Sequence, residues 1–327
     1  MTKVSVIIPT YNRLSQLKQA ITGLEKQTYP FDEFEVIVVS DGSADGTTEY
    51  LQTIASPLQL QPVLQENQGP AAARNHGVSV ATGELVLFMD DDIVPVPMFV
   101  AEHVASYEKH GPTTSVLGPM LTPTDFQMAP WVFWEQQMLY KQYSDMNSGR
   151  WEPTARQFYT GNASVARHLI LAAGGFDESV NRAEDVDLAY RMVDQGVKFI
   201  FNPSAIGYHY AHRAFTSWMR TPYLYGRYDV VFARDKGQSW LLEDVAWEFH
   251  RRHRLVQMLA RFCISRKMLY AIVIGTMQRI ASLSTSLQMP QISQYAYSGI
   301  FNLCHYQGIA DELGDRQQFL QLMRSPR

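Results

Sequence analysis

The chain opens on an apolar run, Val4-Ser5-Val6-Ile7-Ile8, halted by Pro9, which is the pattern of a buried strand. Leu14, Leu17, Ile21 and Leu24 then recur at spacings of three and four, predicting a helix that Asn12 would cap. Glu35 to Val39 reads as a second, β-branched strand. Asp41-Gly42-Ser43 turns the chain into another helix through Thr47, Leu51 and Ile54, and Val63-Leu64 gives a short third strand. A small-residue helix runs from Pro70 to about Ala81, followed by the apolar run Leu85-Val86-Leu87-Phe88-Met89. Pro95 and Pro97 interrupt the chain before a helix with Phe99, Val100, Val104 and Tyr107 on one side. Repeated strand–helix units of this size imply an α/β fold, a mostly parallel sheet wrapped by helices. Past Arg213 the pattern becomes helical, so the chain divides into an α/β domain over 1–212 and a mainly helical extension over 213–327.

Composition narrows the class. With 327 residues, 46% hydrophobic and 18% charged, the chain has the make-up of a globular protein and can bury a large core. A net charge of -4 argues against a nucleic-acid partner. Cys263 and Cys304 are the two cysteines and show no disulfide spacing, which fits a reducing compartment. A strand that begins at Val4 leaves no stretch for a secretory signal, and Met268 to Met277 is too short to span a bilayer. The expectation is a cytoplasmic protein, soluble or peripheral to the inner face of the cell membrane.

Candidate chemistry gathers at strand ends. Asp90-Asp91-Asp92 closes the fourth strand, and the carboxyl edge of an open α/β sheet is where ligands bind. Three adjacent acids repel one another; a divalent cation such as Mn²⁺ or Mg²⁺ would relieve that, with Asp90 and Asp92 as hard oxygen ligands. A solvated turn is the plainer reading. Pro9-Thr10-Tyr11-Asn12 and Ser40-Asp41-Gly42-Ser43 lie at the same edge, and neither is a dinucleotide fingerprint or a P-loop. Asp41 suits a base N–H or a sugar hydroxyl, or else bonds its own turn. Arg74, among small residues, would meet a phosphate or pair with a strand-end carboxylate.

Taken together, Val4 to Asn12, Val38 to Thr47, Gly69 to Gly77, Leu87 to Asp92, Thr160 to Ser164, Gly174 to Asp177 and Glu184 to Arg191 resemble family 2 glycosyltransferases. The resemblance covers about residues 3 to 212. It implies the GT-A fold, a Rossmann-like mixed sheet flanked by helices, and an inverting transfer from a nucleotide-sugar, with a UDP-sugar the expected donor. Pro9, Thr10, Tyr11, Asn12, Asp41, Arg74, Asp90 and Asp91 then fall to nucleotide binding, with Asp41 on the base. Asp90 and Asp92 match the D-x-D motif. Asp92 takes the metal, with His209 as a further ligand unless it is a packing residue. Many members carry Asp-Asp-Gly-Ser where this chain has Ser40-Asp41-Gly42-Ser43, so ribose contacts are expected to differ.

Glu184-Asp185-Val186-Asp187 opens a helix, where acids also simply compensate the dipole, and Asp187 with Arg191 has the spacing of a surface ion pair. By resemblance Asp185 is the general base and Glu184 an acceptor-binding or supporting carboxylate. Asn162 and Gly161 are expected near the donor sugar or acceptor. Trp131 and Trp134, in a long connection, are candidates for an acceptor wall, though most aromatics there should be packing. The acceptor would be a sugar, a lipid-linked molecule or a small molecule. A nucleotidyltransferase and a non-catalytic carbohydrate-binding protein are the alternatives. The first lacks its phosphate loop here, and the second predicts loss of carboxylates that are present. The helical extension, rich in arginine, reads as a bundle with a solvated face, a homodimer contact, or a surface that docks on a membrane.

Overall fold

The structure is a computed structural model, and it describes residues 2–324. In chain order the strands are β1 (Val4–Thr10), β2 (Phe34–Asp41), β3 (Gln59–Gln65), β4 (Leu85–Met89), β5 (Ile93–Pro95), β6 (Thr114–Leu117), β7 (Met120–Leu121), β8 (Asn162–Ala166), β9 (Lys198–Phe201) and β10 (Gly207–His209). The helices are α1 (Leu14–Leu24), α2 (Thr47–Thr53), α3 (Pro70–Val80), α4 (Phe99–His110), α5 (Pro130–Asn147), α6 (Arg167–Ala172) and α7 (Glu184–Val193). They continue as α8 (Phe215–Asp235), α9 (Trp240–Arg251), α10 (Arg254–Cys263), α11 (Lys267–Ser286), α12 (Pro290–Leu313) and α13 (Arg316–Leu322). The chain forms two compact units, one of Met1–Gln127 with Gln136–Ala211, the other of Met128–Glu135 with His212–Arg327.

The first unit is built on a seven-stranded mixed sheet of order β3-β2-β1-β4-β8-β6-β9. β1, β2, β3 and β4 are mutually parallel, and β1 lies buried between β2 and β4, as its run of Val and Ile requires. Pro62 fits in β3 because β3 is an edge. β8 departs from the parallel pattern that repeated strand–helix units predict: it lies antiparallel between β4 and β6. A three-stranded sheet of order β5-β10-β7 completes the unit.

Asn12 does not cap α1. It has a left-handed backbone (φ 53°), and its Oδ1 accepts from the Ala44 N–H at 2.7 Å. The first turn of α1 is served from another loop, where Asp45 Oδ2 accepts from the Leu14 N–H at 2.9 Å. The loops after β1 and β2 are thereby tied to each other.

The second unit is helical. Trp218 is fully buried and meets Trp134 edge-on and Phe301 at a tilt, with Tyr297 beside it. α8 and α12 approach closely through glycine: a Cβ on Gly226 would collide with the His305 carbonyl, and one on Gly308 with that of Tyr223. Among the described residues no helix is long and apolar enough to cross a membrane.

Candidate active site

In-register pairing of Thr10 with Ser40 and of Asp41 with Gln65 aligns the ends of β1, β2 and β3, and β4 ends beside them at Met89. The edge so formed carries Tyr11 and the three aspartates. Pro9 is half-buried and Thr10 buried, while the Tyr11 ring is half-exposed (51%).

The aspartates face three different environments. Asp91 is buried and accepts from the Thr10 hydroxyl at 2.8 Å and from Arg13 Nη1 at 3.1 Å. Burial outweighs the arginine and pushes its carboxyl up to about 6. Asp92 Oδ2 accepts from the same Arg13 nitrogen at 2.8 Å, and its Oδ1 lies 3.5 Å from His209 Nε2. Burial opposes ionisation of Asp92, but His209 and Arg13 together pull it down to about 2. His209 arrives through β10, where it pairs with Ile93, and the following Tyr210 N–H donates to the Asp92 carbonyl at 3.1 Å. Asp90 points elsewhere: its Oδ1 accepts from Arg74 Nη2 at 3.0 Å.

Arg74 is buried in the first half of α3 and donates through Nη1 to Glu184 at 2.8 Å. One guanidinium therefore joins the end of β4 to the start of α7. Ala183, just before α7, adopts a left-handed backbone (φ 61°), an uncommon conformation for alanine that turns the chain into the acid pair. Asn75, next to Arg74, fixes the preceding loop by donating to the Phe176 carbonyl and Glu178 while accepting from the Phe176 N–H. Asp185 is half-buried. Desolvation and the neighbouring Glu184 push it up to about 7, against the pull of Arg74.

Several expectations are altered by the geometry. Asp41 lies at the predicted edge, but its carboxylate already accepts from Gln65, Asn67 and the Gln68 and Gly69 N–H groups, at 2.8 to 3.2 Å. It thus shapes the loop into α3, and a base would have to displace one of these donors. Asn162 does not present its amide at the cleft. It is buried, donating to the carbonyls of Pro119 and Ala205 at 3.0 and 2.8 Å and bonding His103 at 2.9 Å. Gly161 lies against Asp90: a Cβ there would lie 2.9 Å from Asp90 Oδ2. Trp131 and Trp134 belong to the second unit: Trp134 packs in its core, and Trp131 donates to the Arg213 carbonyl at 2.9 Å and packs on Phe215. Asp187 is buried rather than a surface residue, with two bonds from Arg191. Arg13, which binds two of the three aspartates, escaped sequence reasoning; a lone arginine at a helix start carries no pattern.

The profile described as glycosyl transferase family 2 matches residues 5–167, about half of the chain. Validoxylamine A glucosyltransferase of Streptomyces hygroscopicus subsp. jinggangensis is 29% identical over 234 residues, covering 64% of this chain and 56% of that protein. Glycosyltransferase AglE of Haloferax volcanii is 26% identical over 245 residues, covering 74% and 76%. The chain spans about half the length of the first of these relatives. Two solved structures share the fold. Mannosyltransferase PcManGT of Pyrobaculum calidifontis, in complex with GDP-Man and Mn²⁺, superposes with a TM-score of 0.63 at 21% identity over 94% of this chain and 87% of that one. TarS 1–349 of S. aureus, in complex with UDP-GlcNAc, gives 0.58 at 19% identity over 96% and 92%. On the profile match and on a mixed sheet laid out as in the GT-A glycosyltransferases, the chain belongs to glycosyl transferase family 2.

Proposed function

We propose that the protein transfers a sugar, with inversion, from a nucleotide-sugar to a hydroxyl of a glycan, lipid-linked or small-molecule acceptor, and that it acts at the cytoplasmic side of the cell. The observation that carries this reading is the Asp90–Arg74–Glu184 bridge, which sets the strand-end aspartates beside a carboxyl held near neutrality. Asp185 is the base: a group at about 7 takes a proton near neutral pH and is matched to that task. The acceptor oxygen loses its proton to Asp185 as it attacks the anomeric carbon, and the bond to the nucleoside diphosphate breaks on the opposite face. Glu184, held by Arg74, sets the direction of its neighbour and contributes to acceptor binding.

On the donor side the exposed ring of Tyr11 is suited to stack on a base, and Asp90 to bond the ribose. UDP is our first choice of nucleotide. PcManGT was solved with GDP-Man and TarS 1–349 with UDP-GlcNAc, so the fold accommodates either base.

A divalent ion fits the residues present in one particular way. Among the described residues no three His, Cys, Asp or Glu side chains converge as a metal cage. Asp92 and His209 offer an ionised oxygen and a nitrogen 3.5 Å apart, and Mg²⁺ or Mn²⁺ is commonly held by one or two side chains plus substrate phosphates. Such an ion would neutralise charge on the departing diphosphate. PcManGT was solved with Mn²⁺.

Release of nucleoside diphosphate from UDP- and GDP-sugars, measured with Mn²⁺ or EDTA, tests the reading. Wild-type turnover lost in Asp185→Asn with donor binding retained would support it. Absence of both turnover and nucleotide binding across the donor panel would overturn it.

A further inference from the structure

We propose that α10 and α11 form a surface that docks on an anionic lipid bilayer. This rests on the second unit alone and holds whatever chemistry the first unit performs.

Charge supplies the first observation. From Phe249 to Ala310, 62 residues contain seven Arg or Lys and no Asp or Glu. The whole chain carries -4, so this segment stands at +7 against -11 for the remainder. Of the seven, Arg252 alone pairs with a carboxylate among the described residues, Glu248 at 2.9 Å. Arg251 lies over the Trp247 ring and Arg266 over that of Phe262, so these cations ride on aromatic faces.

The second observation is apolar exposure in the same place. On α10, Leu255, Met258 and Phe262 recur at three and four, are 48 to 58% exposed, and are flanked by Arg254 and Arg261. Cys263 and Ala260 occupy the opposite, buried side. On α11, with Leu287 just past its end, Met268, Ile272, Leu283 and Leu287 are 60 to 81% exposed, while Ile274 and Ala281 face the core. Helical spacing puts those four on one stripe, so α11 is apolar outside as well as inside. Such a helix is ordinarily buried on every side. A short turn through Ser265 and Arg266, with Ser265 in a left-handed backbone (φ 60°), joins the two helices.

An apolar stripe rimmed by arginines without acids is the make-up of a helix lying in a bilayer interface, apolar side chains among acyl chains and guanidiniums on phosphates. A second copy of this chain is the poorer occupant. A two-fold contact sets a patch against itself, and here it would press seven cations on seven.

Co-sedimentation of the full chain with lipid vesicles tests this, using phosphatidylcholine alone and phosphatidylcholine with about one third phosphatidylserine. Binding to the anionic vesicles only, falling with added salt, is expected. Arg254→Gln with Arg261→Gln should weaken it about 30-fold, taking roughly fivefold per arginine near such a surface. Phe262→Ser with Met268→Ser should weaken it too, with an unchanged melting curve because both side chains are exposed. Binding unaffected by either pair, or no binding to anionic vesicles at low salt, would overturn the proposal. So would a dimer, seen by light scattering, that the Phe262→Ser, Met268→Ser variant dissolves.

Discussion

Replacing Arg74 by methionine removes the guanidinium that bonds Glu184 at 2.8 Å and Asp90 at 3.0 Å. Glu184 is 8% exposed, so it would be left charged and buried without its partner. Breaking a buried pair from one side costs about 3–5 kcal/mol. At about 2–4 °C per kcal/mol for a chain of this size, the melting temperature should fall by roughly 6–20 °C. The loss should depend on pH, with a definite sign. Asp185 already sits at about 7 with Arg74 in place, above the ordinary aspartate range, and Arg74 draws it down. Without that pull the folded state holds the proton still more tightly. A group whose folded value is raised contributes its stability below the unfolded value, and that contribution is lost as pH rises through the folded one. The deficit of the variant should therefore be small near about pH 5 and largest above about pH 8. Circular-dichroism melts of both proteins across that range measure it. Arg74→Lys keeps a charge but cannot span both carboxylates, so it should fall between the two. A methionine variant that melts within about 1 °C of wild type at high pH, or a deficit that shrinks as pH rises, would refute the reasoning.

Four further outcomes follow from the same geometry. Asp185→Asn should lower the rate of transfer by about 10²–10⁴-fold, and the wild-type rate should climb with pH through about 7 and then level off; a flat pH–rate profile would count against the base. The same variant should melt higher than wild type above pH 7, since it no longer carries a half-buried carboxylate that must ionise there. Asn162→Leu leaves the Ala205 carbonyl without its donor and His103 Nε2 without its partner, while the Pro119 carbonyl keeps the Gly207 N–H, so stability should fall by about 2–5 kcal/mol with the KM for donor unchanged; the reverse pattern would restore Asn162 to the cleft. Gly161→Ala puts a Cβ 2.7 Å from Met120 Sδ and 2.9 Å from Asp90 Oδ2 and should raise the donor Kd about tenfold, about 1.4 kcal/mol, read by titration calorimetry against UDP-sugars.

The first half of the fold was legible because its strands are apolar runs and its helices repeat at three and four. The opening run, the run into Asp90 and the small-residue helix after Pro70 all fall within a residue or two of their predicted places. What lies between Gly118 and Ser164 was not legible. α5 mixes aromatic, polar and acidic residues without a clean stripe, and β8 reads Asn-Ala-Ser-Val-Ala, a poor strand by propensity that forms because β4 and β6 flank it. At the site, acids at the edge announced themselves, whereas their partners did not. Arg13, Asp45 and Asn67 act across loops 26 to 78 residues apart in sequence, and no local pattern encodes such a meeting. The buried setting of Asn162 was hidden for the same reason, because a polar side chain in a short motif carries no sign of whether it faces solvent or three buried partners.

The reversed direction of β8 has a consequence for how the cleft can vary. A parallel strand delivers to the ligand edge whatever follows it. β8, running the other way with Asn162 opposite Met89, delivers what precedes it, so Gly161 reaches Asp90 from upstream. The connection from Ser148 to Thr160 thus leads into Gly161 beside Asp90, while the strand that follows is pinned by two neighbours. Length and composition there can change with the sheet register untouched. Chimeras that exchange residues 148–160 between family members should alter which sugar is accepted while leaving the Asp90–Arg74–Glu184 bridge in place.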